Sequence, residues 1–134
     1  NMETIQVVRG FNEIIRIRER ISPTGVNPVV YENLDNVSAI YCRIRKDNRS
    51  DIVAKYSRDE KEGYIQLVRV DEYNYRLVID SSLTRKLEIG TYYLGIAIHK
   101  ENTDFEDNVF RGICETTILE LVESKTDVGL EWVQ

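Results

Sequence analysis

This chain of 134 residues has only two prolines, Pro23 and Pro28, and both fall in one loop. Histidine, methionine and tryptophan occur once each, cysteine twice and glycine seven times. No apolar run approaches the ~20 residues that a membrane helix requires, so no membrane partner is expected. No Gly-rich phosphate loop, internal repeat or low-complexity segment is present. A lone histidine, His99, cannot build the usual metal or catalytic-triad constellation without partners. The residues Asn1-Met2-Glu3-Thr4 carry no basic or apolar leader, so a secretory signal is not expected. Asn1 reads as an addition ahead of a native start at Met2, which would place synthesis in the cytoplasm. The net charge of −5 argues against nucleic acid, whose binders normally carry a basic excess.

What the chain does have is alternation. From Tyr92 onward, Tyr92, Leu94, Ile96 and Ile98 point one way, and Tyr93, Gly95, Ala97 and His99 the other. Period-2 patterning entered through Gly90 predicts a half-buried strand of an antiparallel sheet. Eight tyrosines and many valines and isoleucines favour strands generally. A hydrophobic content of 42% and a charged content of 31% suit one globular domain, long enough for a core without metal or disulfides.

Further strands are predicted at Thr4–Val8, Glu13–Arg20, Val37–Lys46, Asp51–Tyr56, Tyr64–Val70 and Tyr75–Asp80, with a long final one at Val109–Glu123. Pro28–Tyr31 reads as a short edge segment. Ser81–Lys86 suits a single helical turn capped by Ser81 or Ser82. In the final strand the alternation changes phase, which predicts a β-bulge near Gly112. Short strands spaced by turns, with almost no helix, predict an all-β antiparallel sandwich over residues 1–124. A tail over 125–134 follows.

Few residues invite chemistry. Cys42 and Cys114 fall on the third and last predicted strands, whereas an immunoglobulin-type bridge joins the second and sixth, and its partner Trp is missing. No disulfide is expected, and both are read as small buried hydrophobes. The acidic loop Glu101–Asn108 lacks the order of a calcium loop, so calcium and other metals or cofactors are not expected. His99 is read as a surface residue. Arg16, Arg18 and Arg20 line one side of a strand, and Arg43 and Arg45 one side of another. Were those strands to share a sheet, the guanidinium groups would form a row able to meet carboxylate or phosphate on a partner. The competing reading is a solvated sheet face. In the tail, Val128, Leu130 and Trp132 share one side of an extended segment, which would dock on its own sheet or on a neighbouring subunit's.

The order of elements resembles a known family. Val8-Arg9-Gly10-Phe11-Asn12-Glu13-Ile14-Ile15-Arg16-Ile17, Val37–Arg45 and Leu87-Glu88-Ile89-Gly90-Thr91-Tyr92 follow the pattern of the immunoglobulin-like N-terminal domains of phage baseplate upper proteins and tail proteins, including prophage relatives in gut bacteria. The resemblance implies an immunoglobulin-like sandwich with no catalytic residues. It implies a structural adaptor within a virion, whose partners are other phage structural proteins or copies of itself. The candidate interface is then Arg16, Arg18, Arg20, Arg43, Arg45, Val128, Leu130 and Trp132. A rival reading is a carbohydrate- or cell-surface-binding module using an aromatic platform drawn from Tyr41, Tyr64, Tyr92 and Tyr93. A small enzyme is the least expected outcome.

Overall fold

Strand β8 (Gly90–Glu101) is the axis of the molecule, and its burial alternates along the whole length. Tyr92, Leu94, Ile96 and Ile98 are at most 3% exposed, while Tyr93, Gly95, Ala97 and His99 face outward. The structure is a computed structural model and describes residues 2–46 and 51–124.

The other strands are β1 (Glu3–Val8), β2 (Glu13–Ile17), β3 (Ala39–Lys46), β4 (Ile52–Ser57), β5 (Ile65–Gln66), β6 (Val68–Asp71), β7 (Asn74–Ile79), β9 (Val109–Phe110) and β10 (Ile113–Val122). They form two sheets. The larger has the order β1-β10-β8-β3-β4-β5, with β9 added beside β8, and the smaller is β2-β7-β6. Most pairings are antiparallel, as the alternation predicts. The exceptions lie at the ends of the larger sheet, where β1 runs parallel to β10 and β5 parallel to β4.

The core lies between the sheets. Ile15, Ile17, Tyr75, Leu77 and Ile79 of the smaller sheet meet Ile40, Cys42, Ile44, Tyr56, Leu94, Ile96 and Leu119 of the larger. Burying this apolar surface is the main stabilising force. Polar groups that enter the core are satisfied there. The Tyr56 hydroxyl crosses the sandwich and donates to the Val78 carbonyl at 3.0 Å. Its burial pushes the phenol pKa up to about 12, so it remains a donor.

Several boundaries differ from the sequence reading. The strand expected over Glu13–Arg20 stops at Ile17. Beyond it Arg20 turns back on its own loop, donating to the carbonyls of Ser22 and Pro23 at 3.1 and 2.9 Å. The edge segment expected at Pro28–Tyr31 reduces to one bridge between Arg20 and Tyr31. The strand expected over Tyr64–Val70 is two strands in different sheets, divided at buried Leu67. One chain segment thus turns the corner of the sandwich there. Helix α1 (Ser81–Thr84) is capped not by a serine but by Asp80, whose carboxylate accepts from the Ser82 N–H. The final strand is interrupted at Arg111–Gly112, and its register shifts between Ile113 and Glu115, close to the expected bulge.

Cys42 is buried on β3. Strand β8 lies between β3 and β10, which sets the backbones at 42 and 114 about two strand spacings, ~10 Å, apart in one sheet. The Cys114 side chain lies outside the described part. So do the Asp47–Ser50 turn and the tail with Val128, Leu130 and Trp132.

Candidate binding groove on the larger sheet

The arginines picked out in the sequence do not form one row. Arg16 is on β2 in the smaller sheet, while Arg43 and Arg45 are on β3 in the larger, so the two groups face opposite sides of the molecule. The condition for a continuous guanidinium stripe, a shared sheet, is not met.

Arg43 and Arg45 belong to a groove that follows from the register of three strands. On β8 the outward positions run Tyr93, Gly95, Ala97, His99. Arg43 stands opposite Gly95, Arg45 opposite Tyr93, and Tyr41 opposite Ala97. On the far side of β3, Lys55 stands opposite Arg43, and from β10 Thr116 stands opposite Gly95. Two very small residues therefore lie in the middle of a face whose neighbours are long. The result is a trough of about 580 Å³ floored by Gly95 and Ala97. Tyr93 and His99 close its ends, and Ile113, 75% exposed, stands on its β10 side.

The wall beyond β3 is aromatic and basic. The rings of Tyr41 and Tyr64 lie 5.8 Å apart at 54°, and His99 meets Tyr41 edge-on at 5.2 Å. The Lys61 ammonium sits 5.1 Å from the centre of the Tyr41 ring and 5.2 Å from that of Tyr64, with Lys55 4.7 Å over Tyr64. These are cation–π distances. No Asp or Glu lines the trough among the described residues, in a chain of net charge −5. Half-burial, and then the charge of Arg111, lower the His99 pKa.

The β2 arginines have other surroundings. Arg16 stands directly across from Arg76 on β7, with Ile14, Val68 and Val70 exposed on the same sheet. Arg18 stacks over Tyr31 at 4.4 Å, and Arg20 holds its loop as described above. A second cleft, about 650 Å³, opens between β1 and β2, where Arg16, Arg18 and Arg20 share the walls with Glu3 and Glu115. Burial, and then the Glu3 charge, raise the Glu115 pKa.

Of the four tyrosines considered as a platform, Tyr41, Tyr64 and Tyr93 share the groove. Tyr92 does not: it is buried, and its hydroxyl donates to the Glu88 carbonyl at 2.7 Å. In the acidic loop the polar groups fold the loop itself. The Asn102 side chain accepts from the Asp104 N–H, and the Asp107 carboxylate pairs with Arg111 at 2.7 Å. No cluster of three or more metal-ligating side chains occurs among the described residues. None of their helices is long and apolar enough to cross a membrane.

Sequence reasoning missed Lys55, Lys61, Gly95 and Ile113. The signal for Gly95 was visible in the small residues of the outward register of β8. Lys61 was hidden in a charge run that read as a solvated loop.

No family model matches the chain, and no curated protein matches it significantly. Among solved structures, a chain described as "The three dimensional structure of NK cell receptor Nkp44, a triggering partner in natural cytotoxicity" is similar at 14% identity. That match covers 92% of this chain and 99% of the other, with a TM-score of 0.45. A chain from "Structural basis of T cell specificity and activation by the bacterial superantigen toxic shock syndrome toxin-1" is similar at 12% identity. It covers 90% of this chain and 93% of that one, with a TM-score of 0.50. The second likeness concerns the fold alone. The pairing β2-β7-β6 against β10-β8-β3-β4-β5 is the variable-type arrangement, and the Tyr92–Glu88 bond is a tyrosine corner. The chain is an immunoglobulin-like β-sandwich. Leu94, two residues beyond the corner tyrosine, stands where such domains place the second bridging cysteine.

Proposed function

We propose that the chain is a non-enzymatic adaptor that joins protein neighbours in a larger assembly, the tail or baseplate of a phage or prophage. The adaptor half of this reading is carried by the groove on the larger sheet. Arg43 and Arg45 have no ion-pair partner among the described residues, and they border a floor kept open by Gly95 and Ala97. Unpaired cations around a small concave floor are what a docking surface needs to recognise a complementary neighbour. The exposed strip of Ile14, Arg16, Val68 and Val70 supplies a second surface for contact within an assembly.

The virion setting is supported by the sequence resemblance over residues 8–17, 37–45 and 87–92. On this reading the chain is made in the cytoplasm and leaves it inside released particles. Mass spectrometry of particles purified from the source strain tests it: the chain should be present in stoichiometric amount, and its gene should lie among tail-tube, tape-measure or baseplate genes. A gene set among transporters and glycosidases, with no chain in particles, would remove it.

One observation favours a second reading, a carbohydrate- or cell-surface-binding module: Tyr41, Tyr64 and Tyr93 gather on one face. Specific retention of a neutral glycan on an array, lost in Tyr41→Ala, would establish that reading in place of the first.

A further inference from the structure

We propose that the groove takes an acidic, extended polypeptide segment of a partner protein, laid along β8 with its backbone over Gly95 and Ala97. The inference rests on the adaptor reading and names what the groove would hold.

Gly95 is the first reason. A glycine in mid-strand weakens the strand, so its presence needs a cause. Gly90 has one, a φ of 146° at the start of β8, a backbone conformation that side chains rarely adopt. Gly95 lacks that cause, since its φ is not in the positive region and a Cβ added there would meet nothing within 4 Å among the described residues. Neither conformation nor internal packing requires glycine here. Close approach of another backbone does.

Charge is the second reason. Arg43, Arg45 and Lys61 line the trough, with no acid in its lining among the described residues, so an anionic occupant gains ion pairs and is drawn in at long range. The aromatic wall is the third. Tyr41 and Tyr64 are tilted by 54° and carry lysine ammonium groups over their rings, so they do not form the flat, open platform on which a sugar or base would stack. A polypeptide strand needs no such platform. Its side chains alternate, so carboxylates can reach the basic wall while apolar ones meet Tyr93 and Ile113.

Fluorescence anisotropy with the full chain and a labelled decapeptide alternating glutamate and valine tests this, with the lysine–valine decapeptide as control. The acidic peptide should bind with salt-sensitive affinity and the basic one should not. Gly95→Val should weaken binding by at least about tenfold while thermal stability is kept. The double variant Arg43→Ser/Arg45→Ser should do the same, and Arg16→Ser should bind like the unsubstituted chain. If Gly95→Val does not fold, Gly95→Ala together with the arginine double variant decides the matter.

Equal affinity in a folded Gly95→Val chain would overturn the proposal, because charge attraction without seating would remain. So would tighter binding of a heparin oligosaccharide that Gly95→Val abolishes, or a dimer seen by light scattering that Gly95→Val dissociates. Failure of the peptide to bind, while Gly95→Val still prevents incorporation into particles, would remove the acidic partner and leave the adaptor role standing.

Discussion

The two outer faces of this sandwich both carry arginines, but those arginines do different things. On the larger sheet, Arg43 and Arg45 border a trough whose floor is glycine and alanine, with no carboxylate lining it among the described residues. On and beside the smaller sheet the cations are mostly engaged. Arg20 ties down the Ser22–Pro23 loop, Arg18 covers Tyr31, and Arg69 forms a bidentate pair with Asp35. Arg16 and Arg76, which oppose each other across the strands, are the exceptions. What an arginine row means is therefore decided by its cross-strand neighbours rather than by its spacing. Beside Arg43 and Arg45 the small neighbours Gly95 and Ala97 leave an open floor, whereas Arg16 meets another long cation, Arg76.

The contrast is sharpest within one strand, at Leu94 and Gly95. Leu94→Ala should destabilise the domain by about 2–5 kcal/mol, read as a fall in urea midpoint, because it opens a cavity between the sheets. Gly95→Val should leave that midpoint unchanged or raise it, since the added side chain enters open space and suits a strand. A large loss in Gly95→Val would break the distinction between packed and open faces.

Smaller effects follow at single hydrogen bonds. Tyr92→Phe removes the bond that fixes the corner before β8 and should cost about 0.5–1.5 kcal/mol in the same assay. Arg20→Ala should cost about 0.5–1 kcal/mol through its loop, whereas Arg43→Ala and Arg45→Ala should stay within about 0.5 kcal/mol of the unsubstituted chain. Equal losses from the two groups would erase the difference between structural and available arginines.

The smallest expected effect concerns acid. Hydrogen bonds from Arg69, and then from Tyr75, hold the Asp35 carboxyl at a pKa of about 2 against an ordinary value of 3.8. The folded state thus binds this proton less readily than the unfolded one. The stabilisation is present in full above pH ~4 and is lost as the pH falls toward 2. Thermal melts between pH 5 and 2 should show a shallower decline in Asp35→Asn than in the unsubstituted chain.

Much of this architecture was legible in the residues. The alternation of Tyr92–His99 gave both the buried and the outward register of β8, because period-2 patterning reports the sheet face directly. Other features depend on tertiary geometry. Arg18 and Arg20 continue the alternation of β2 but leave the strand, since backbone carbonyls of the next loop capture Arg20. The Tyr64–Val70 run gave no sign of changing sheets, because an apolar Leu67 serves equally in a continuous strand and at a corner. The groove itself was half visible. Gly95 and Ala97 lay in the outward register, but Lys61 and Tyr64 reach the same place from a distant loop, and a single sequence does not encode that neighbourhood locally.

The most direct test of the account is where an acidic ligand perturbs the folded domain. Amide chemical shifts followed on addition of the glutamate–valine decapeptide should move, saturably, at residues 41–45 and 93–97 on the larger sheet. Residues 14–18 and 74–78 on the smaller sheet should stay unchanged. Saturable shifts confined to the smaller sheet, or equal shifts on both faces, would contradict it.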